Sequence, residues 1–115
     1  DWRYAEIPAA HDAMLTHPKK RLEIIIEAPL LNRLLDKLEK LGVSGYTVVP
    51  AIAGKGSGGA WREGQLTQAG HMVMVICVTS QERVEAVLGP VHEVLARHIG
   101  IVTVTDVQVI RADHF

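Results

Sequence analysis

Seven consecutive apolar residues, from Met72 to Val78, constrain the fold of this chain more than any other feature. The run is much shorter than the ~18 residues of a membrane-spanning helix, and its β-branched residues favour an extended strand. A strand that is apolar on both faces has to lie in a sheet whose two faces are both covered. The sequence therefore predicts a strand over His71–Val78 that packs against helices on one face and against a further surface on the other.

Three other segments carry strand patterns. Within Arg21–Ala28, the apolar residues Leu22, Ile24 and Ile26 alternate with Glu23, Ile25 and Glu27. Gly45–Ile52 is an apolar run, and Ile101–Ile110 is rich in Val and Thr, which favour strands. Together with His71–Val78, these segments predict four strands.

Two segments carry helical patterns. The first opens at Pro29 and ends at Gly42, with one apolar stripe consisting of Leu30, Leu31, Leu34, Leu35, Leu38 and Leu41. The second opens at the capping-box pattern Thr79-Ser80-Gln81-Glu82 and ends at Gly100. Its predicted apolar face consists of Val84, Val87, Leu88, Val91, Leu95 and Ile99. Gly89-Pro90 predicts a kink or a break within it, because proline lacks a backbone donor.

The resulting order, β-α-β-β-α-β, predicts an α+β fold of the ferredoxin-like type, an antiparallel sheet with both helices on one face. The other face would expose apolar residues such as Ile25, and self-association into a closed symmetric oligomer covers such a face most simply. Residues 1–18 differ in composition and are predicted to be an N-terminal extension, which leaves residues 19–115 as the domain.

Composition narrows the function classes. The chain of 115 residues has a formal net charge of −1 and no long run of one sign, which disfavours nonspecific binding to nucleic acid or membrane surfaces. Cys77 is the only cysteine and is predicted to be a small buried hydrophobe. The six histidines are scattered, so no metal site is predicted. The lack of a long apolar segment or signal-peptide pattern predicts a cytoplasmic protein.

A glycine-rich segment, Gly54-Lys55-Gly56-Ser57-Gly58-Gly59, follows the second predicted strand. Glycines let a backbone approach a ligand closely, and a neighbouring lysine can reach a phosphate. The spacing is not that of a Walker loop. The segment predicts either a small anionic ligand or a plain hairpin tip. Trp61 and Arg62, in the same loop, are candidate docking anchors for a partner, or alternatively packing contacts.

Over about residues 20–115, this pattern resembles the PII signalling superfamily. The resemblance rests on the element order, the long loop after Gly45-Tyr46-Thr47-Val48, the segment His98-Ile99-Gly100-Ile101 and the terminal Val109-Ile110-Arg111. The further segments Gly54–Ser57, Gly100-Ile101-Val102 and His114-Phe115 make it most similar to the PII-like branch linked to inorganic-carbon uptake, the carboxysome-associated PII proteins.

The resemblance implies a nonenzymatic regulatory homotrimer that binds adenine nucleotide in clefts between subunits and signals through the long T-loop. It implies a nucleotide site consisting of Tyr46, Thr47, Gly54, Lys55, Gly56, Ser57, His98, Gly100, Ile101, Val102 and Arg111, with Met72 near the adenine. It implies bicarbonate as a second effector, held by Lys55, Gly56, Ser57 and Gly58. The implied partner is a bicarbonate transporter or a carboxysome-related protein, which Trp61 and Arg62 would dock.

Two departures from the family pattern bear on the ligand. His98-Ile99-Gly100-Ile101 replaces a segment with a phosphate-binding lysine, and Asp113 replaces the second arginine of an Arg-x-Arg pair. Losing two cations weakens triphosphate binding, so AMP or ADP is expected rather than ATP. The alternatives are a divalent-cation tolerance-type trimer of the same fold and a slow nucleotide phosphohydrolase. Scattered histidines argue against the first, and the lack of a second cysteine argues against the second.

Overall fold

The computed structural model describes residues 15–43, 45–56, 59–62 and 71–110. Within them lie six strands and two α-helices, the first of which follows a 3-10 turn at Ala28–Leu30. In chain order these are β1 (His17–Glu27), α1 (Leu31–Lys40), β2 (Thr47–Pro50), β3 (Ala53–Gly56), β4 (Gly59–Arg62), β5 (Met72–Thr79), α2 (Gln81–Leu95) and β6 (Gly100–Val109). Neither helix is long and apolar enough to cross a membrane, among the residues described.

The main sheet has four strands in the order β2-β5-β1-β6, and every neighbouring pair is antiparallel. The predicted α+β, ferredoxin-like fold is confirmed, and the doubly apolar β5 lies at an inner position of the sheet. The hairpin formed by β3 and β4 is an addition that the sequence patterns did not predict as strands. It lies in the long connection between β2 and β5.

The core lies between the helices and one face of this sheet. Leu22, Ile24 and Ile26 of β1 are fully buried on that face, as their alternation predicts. The register places Leu22 opposite Cys77, and Ile24 opposite Val75. From the helices, the fully buried residues are Leu34, Leu38, Val87 and Val91. Burial of such side chains stabilises the fold by about 1.5–3 kcal/mol each, before the entropy cost of ordering the chain is counted.

The end of α1 is fixed by Gly42, as predicted. Its φ is +92°, a conformation that glycine adopts without a Cβ penalty. The Gly42 N–H donates to the Glu39 carbonyl at 3.0 Å, and the Val43 N–H donates to the Leu38 carbonyl at 2.9 Å. These two bonds form a Schellman motif, and Val43 and Leu38 are both buried, as its hydrophobic contact requires.

The predicted boundaries of α2 are wrong at both ends. Ser80, not Thr79, is the N-cap, and its hydroxyl accepts from the Arg83 N–H at 3.1 Å. Thr79 instead ends β5, where it pairs with Lys20 of β1. At the other end the helix stops at Leu95, because Ala96 has a non-helical ψ of 129° and the next residue, Arg97, has a left-handed φ of +72°.

Of the kink or break predicted at Gly89-Pro90, the break does not occur. A single helix runs from Gln81 to Leu95 with Pro90 inside it. Buried valines on both sides of Pro90 hold the helix to the sheet and compensate for the missing backbone hydrogen bond. They are Val84, Val87, Val91 and Val94. Two members of the predicted apolar face are exposed instead, Leu88 on the helix and Ile99 beyond its end.

The strands differ modestly from their predicted bounds. β1 begins at His17 because β6 is long enough to pair with it there, with His17 opposite Val109. Leu15 to Pro18 of the predicted N-terminal extension are therefore described, whereas residues 1–14 lie outside the described residues. β2 spans only Thr47–Pro50, although the Ala51 N–H still bonds to the Met72 carbonyl at 3.0 Å.

The second face of the sheet carries no helix in the described part of the chain. It presents the residues of β1 that alternate with the core positions, including Ile25, and their cross-strand neighbours Met74 and Ile101. Ile101 is 55% exposed. Arg21 and Glu23 form an ion pair of 3.2 Å on the same face. We call this surface the open face.

Candidate functional site

Four residues of the predicted nucleotide site, Thr47, Gly100, Ile101 and Val102, lie on the two outermost strands of the sheet. Thr47 is on β2, and Gly100 and Ile101 are on β6, with β5 and β1 between them. Three strand spacings of roughly 4.8 Å separate these edges by about 14 Å. One chain therefore does not bring the two groups together.

Tyr46 and Thr47 have opposite orientations. The ring of Tyr46 packs against the core, and its hydroxyl donates to Glu39 Oε1 of α1 at 3.0 Å. This hydrogen bond to a carboxylate raises the pKa of Tyr46 above its usual value. Thr47 is exposed and lies opposite Ile76, on the open face. A ligand on the open face thus meets the Thr47 side chain, but only the backbone of Tyr46.

The glycine-rich segment forms a β-hairpin. Gly54 lies opposite Trp61, Lys55 opposite Ala60 and Gly56 opposite Gly59. Lys55 is exposed, and nothing lies within 4 Å of the position that a Cβ on Gly56 would take. The hairpin therefore presents the cation of Lys55 next to uncovered backbone at Gly56.

Several predicted site residues lie outside the described residues or are described only as backbone. Ser57 and Gly58, at the predicted bicarbonate site, and Arg111, the predicted phosphate clamp, are outside the described residues. Trp61 and Arg62 lie in β4, paired with Gly54 and Ala53. The docking and ligand roles of these residues stay predictions.

The connection from α2 to β6 is closed by backbone hydrogen bonds. The Ala96 N–H donates to His92 and the His98 N–H to Leu95, both at 2.9 Å. The Ile99 N–H donates to Oε1 of Glu27, also at 2.9 Å. These three donors are engaged within the chain, so they are not the groups that would bind phosphate in this conformation.

The imidazole of His98 lies beside the same carboxylate. Its Nδ1 is 4.0 Å from Glu27 Oε1, and its side chain is 38% exposed. Glu27 is 22% exposed and belongs to the end of β1. These contacts of Glu27 were not predicted from the sequence, in which the only available signal was its place on the same face of β1 as Ile25, two residues away.

The residues that follow in β6 divide between the two faces. A Cβ on Gly100 would lie 2.9 Å from the Ile25 carbonyl oxygen and 3.0 Å from Leu95 Cδ2, so only glycine fits there. Ile101 projects on the open face, whereas Val102 packs against the core. Met72, expected near the adenine, is 7% exposed within the single chain.

The described residues contain no group of three or more metal-ligating side chains. Cys77 is buried at 2% exposure, and this desolvation raises the pKa of its thiol to about 11. The thiolate, which is the form that binds metals and attacks electrophiles, is therefore scarce near neutral pH.

Comparison with protein families gives one match. The family described as nitrogen regulatory protein P-II matches residues 19–114. No curated protein sequence matches the chain.

Solved structures of PII-like proteins share the fold. One is CPII from Thiomonas intermedia K12, a nitrogen regulatory PII-like protein bound to ADP, AMP and bicarbonate. It is 33% identical, with a TM-score of 0.81 over 89% of this chain and 97% of that one. CPII bound to ADP and bicarbonate is 36% identical, with a TM-score of 0.78 over 89% and 98%. A putative PII-like signalling protein from Thermus thermophilus is 27% identical, with a TM-score of 0.75 over 89% and 99%.

Proposed function

This chain belongs to the family of the nitrogen regulatory protein P-II, and from that premise we propose that it is a nonenzymatic sensor of adenine nucleotide. It acts as a homotrimer whose clefts between subunits bind ADP or AMP in preference to ATP, with bicarbonate as co-effector. The loop between β2 and β5 carries the signal to a bicarbonate transporter or a carboxysome-related protein.

The observation that carries this proposal is the position of Thr47 and Ile101. Both lie on the open face, but on opposite outer strands. When the β2 edge of one copy adjoins the β6 edge of the next, the two halves form one site at each junction. A head-to-tail contact of this kind closes into a ring if the rotation between copies is correct.

The open face supports assembly for a second reason. Ile25, Met74, Ile76 and Ile101 form an apolar surface without a helix over it in the described part of the chain. Packing three such faces together removes apolar area from water, at about 25 cal/mol per Å². The same contact places the β2 and β6 edges of neighbouring copies beside each other.

The ligand class is supported by charge and by the relatives. Lys55 supplies one cation between Gly54 and Gly56, a compact charge suited to phosphate or bicarbonate. CPII, which is 33% and 36% identical in two of its structures, is bound to ADP and bicarbonate in both of them. A low count of cations favours the less highly charged AMP and ADP over ATP.

Signalling follows from differential affinity. A ligand shifts the loop between β2 and β5 only by as much as it binds one conformation more tightly than the others. Nucleotide bound at the β6 edge and bicarbonate bound at the hairpin both influence the conformation of this loop. Their combined occupancy sets which loop conformation meets the partner, with Trp61 and Arg62 as anchors.

The first experiment is a calorimetric titration of the protein with ADP, in buffer freed of carbon dioxide and again with millimolar bicarbonate. Tighter binding with bicarbonate is expected, because coupled sites raise each other's affinity. Binding that does not change with bicarbonate would remove the carbon link and leave an adenylate sensor. No binding in either buffer would overturn the proposal, and zinc and copper titrations would then test the divalent-cation alternative.

A matched pair of variants tests the site. Lys55→Ala is expected to weaken ADP binding about tenfold, since a charge-assisted contact contributes about 1.5–3 kcal/mol. Lys40→Ala removes an exposed lysine at the end of α1 and serves as the control. Sedimentation equilibrium tests the trimer, and a phosphate-release assay with ADP and ATP tests the absence of hydrolysis.

A further inference from the structure

The carboxylate of Glu27 forms a hydrogen bond to the loop between α2 and β6, although Glu27 itself lies outside that loop. Glu27 is the last residue of β1, and its Oε1 accepts the Ile99 N–H at 2.9 Å across 72 positions of sequence. The side chain is 22% exposed. A hydrogen bond to a charged, partly buried acceptor is stronger than one between neutral groups.

The loop depends on such a bond because its backbone is not in a relaxed conformation. Arg97 has a φ of +72°, which costs energy for a residue with a Cβ. The chain leaves α2 at Leu95 and enters β6 at Gly100, with only four residues between them. On the helix side of this turn, the His98 N–H donates to the Leu95 carbonyl, and on the strand side the Ile99 N–H donates to Glu27.

The bond to Ile99 also determines where β6 begins. Gly100 directly follows Ile99, lies opposite Ile26, and has no room for a side chain against the Ile25 carbonyl. The next residue, Ile101, is exposed on the open face, opposite Ile25. With Ile99 released from Glu27, the first pairs of β6 would fray and Ile101 would lose its fixed position.

We propose that Glu27 is a positioning residue for the nucleotide cleft: its carboxylate holds Ile99 and thereby places Gly100 and Ile101. It acts through the loop backbone and does not touch the ligand. This inference rests on the proposed function for the identity of the ligand, ADP. The placement of the loop itself does not depend on that function.

The test uses three variants of the full chain. Glu27→Ala removes the acceptor, whereas Glu27→Gln keeps an acceptor oxygen for the Ile99 N–H and removes only the charge. Glu85→Ala is the matched control, because Glu85 is an exposed glutamate of α2, on the helix side of the sheet, and accepts a hydrogen bond from Gln81 of the same helix. Each variant is titrated calorimetrically with ADP, and exchange of the Ile99 amide hydrogen is followed by NMR without ligand.

We expect Glu27→Ala to weaken ADP binding about tenfold or more and to speed exchange at Ile99. Glu27→Gln should recover most of the affinity and the protection, and Glu85→Ala should leave both at the wild-type level. Equal losses in Glu27→Ala and Glu27→Gln would assign the effect to charge and overturn positioning through Ile99. Unchanged ADP affinity in Glu27→Ala would overturn it as well.

Two results separate this inference from the proposed function. If the wild-type protein binds no ADP, the proposed function fails, and with it the role of Glu27 at a nucleotide cleft. If it binds ADP but its Ile99 amide exchanges as fast as an unstructured one, only the inference about Glu27 fails. The second measurement needs no variant, so it stands even if Glu27→Ala does not fold.

Discussion

The guanidinium of Arg83, in the first turn of α2, occupies the space that a side chain on Gly42 would need. Its Nη1 also donates to the Leu41 carbonyl at 3.3 Å, one of the carbonyls without a partner inside α1. The end of α1 and the beginning of α2 are thereby joined by a single arginine.

Gly42→Ala is expected to lower the free energy of unfolding by about 1–3 kcal/mol. An alanine at a φ of +92° is strained by about 1–2 kcal/mol, and its Cβ displaces Arg83 from the Leu41 carbonyl. Urea unfolding followed by circular dichroism, at one fixed protein concentration, measures the change. Gly45→Ala, where nothing lies within 4 Å, is the control, and an equal loss there would contradict the explanation.

Gly100→Ala is expected to destabilise the protein by about 1–3 kcal/mol for a different reason. The added Cβ meets the carbonyl oxygen of Ile25 at 2.9 Å, and this backbone atom cannot move without separating β1 from β6. The same unfolding experiment measures the loss. Retained stability would show that β6 can shift along β1, contrary to the register in which Gly100 faces Ile26.

Pro90→Ala is expected to raise the free energy of unfolding by about 1–2 kcal/mol. Alanine restores a backbone donor inside a continuous helix, and this gain exceeds the entropy that proline removes from the unfolded chain. Gly89→Ala, next to it on an exposed position with open space, should add up to about 1 kcal/mol. A loss of stability in Pro90→Ala, measured by thermal unfolding, would contradict this expectation. It would mean that packing of the proline ring stabilises the fold more than the restored helical hydrogen bond does.

Stability is expected to decrease with rising pH above about 9 because of Cys77. In the folded protein, burial raises the pKa of this thiol from 9.0 to about 11. Below pH 9 the thiol is protonated in both states and contributes no pH dependence. Between the two values the unfolded chain ionises and the folded chain does not, so unfolding becomes more favourable.

Urea midpoints measured from about pH 7.5 to about pH 10.5 check this decrease. The Cys77→Ala variant is expected to be less stable overall, and its urea midpoint should lack the pH dependence that the thiol contributes. The plots of urea midpoint against pH for the wild-type protein and for the variant therefore converge at high pH. Parallel curves would contradict the burial of the thiol. Slow alkylation of Cys77 in the folded protein near neutral pH, and fast alkylation in urea, is the companion result.

The α+β order, the existence of the doubly apolar strand β5 and the core face of β1 follow from local patterns, and the sequence predicts them well. Alternation at Leu22, Ile24 and Ile26, and the glycine after α1, depend on side chains a few residues apart. The family is recognisable from the sequence for the same reason, since the segments that indicate it are short and occur along the chain in the order typical of the family. These features were determined by the sequence because their causes lie within single elements.

Other features were decided by contacts between elements. The helix α2 continues through Pro90 because flanking valines are buried on the sheet, and it ends at Leu95, before the loop in which Ile99 bonds to Glu27. The ring of Tyr46 turns toward Glu39 of α1, although Tyr46 and Thr47 were predicted to line one cleft. Only the tertiary structure places Thr47 and Ile101 on opposite edges of one face, because strand order depends on pairing between distant segments.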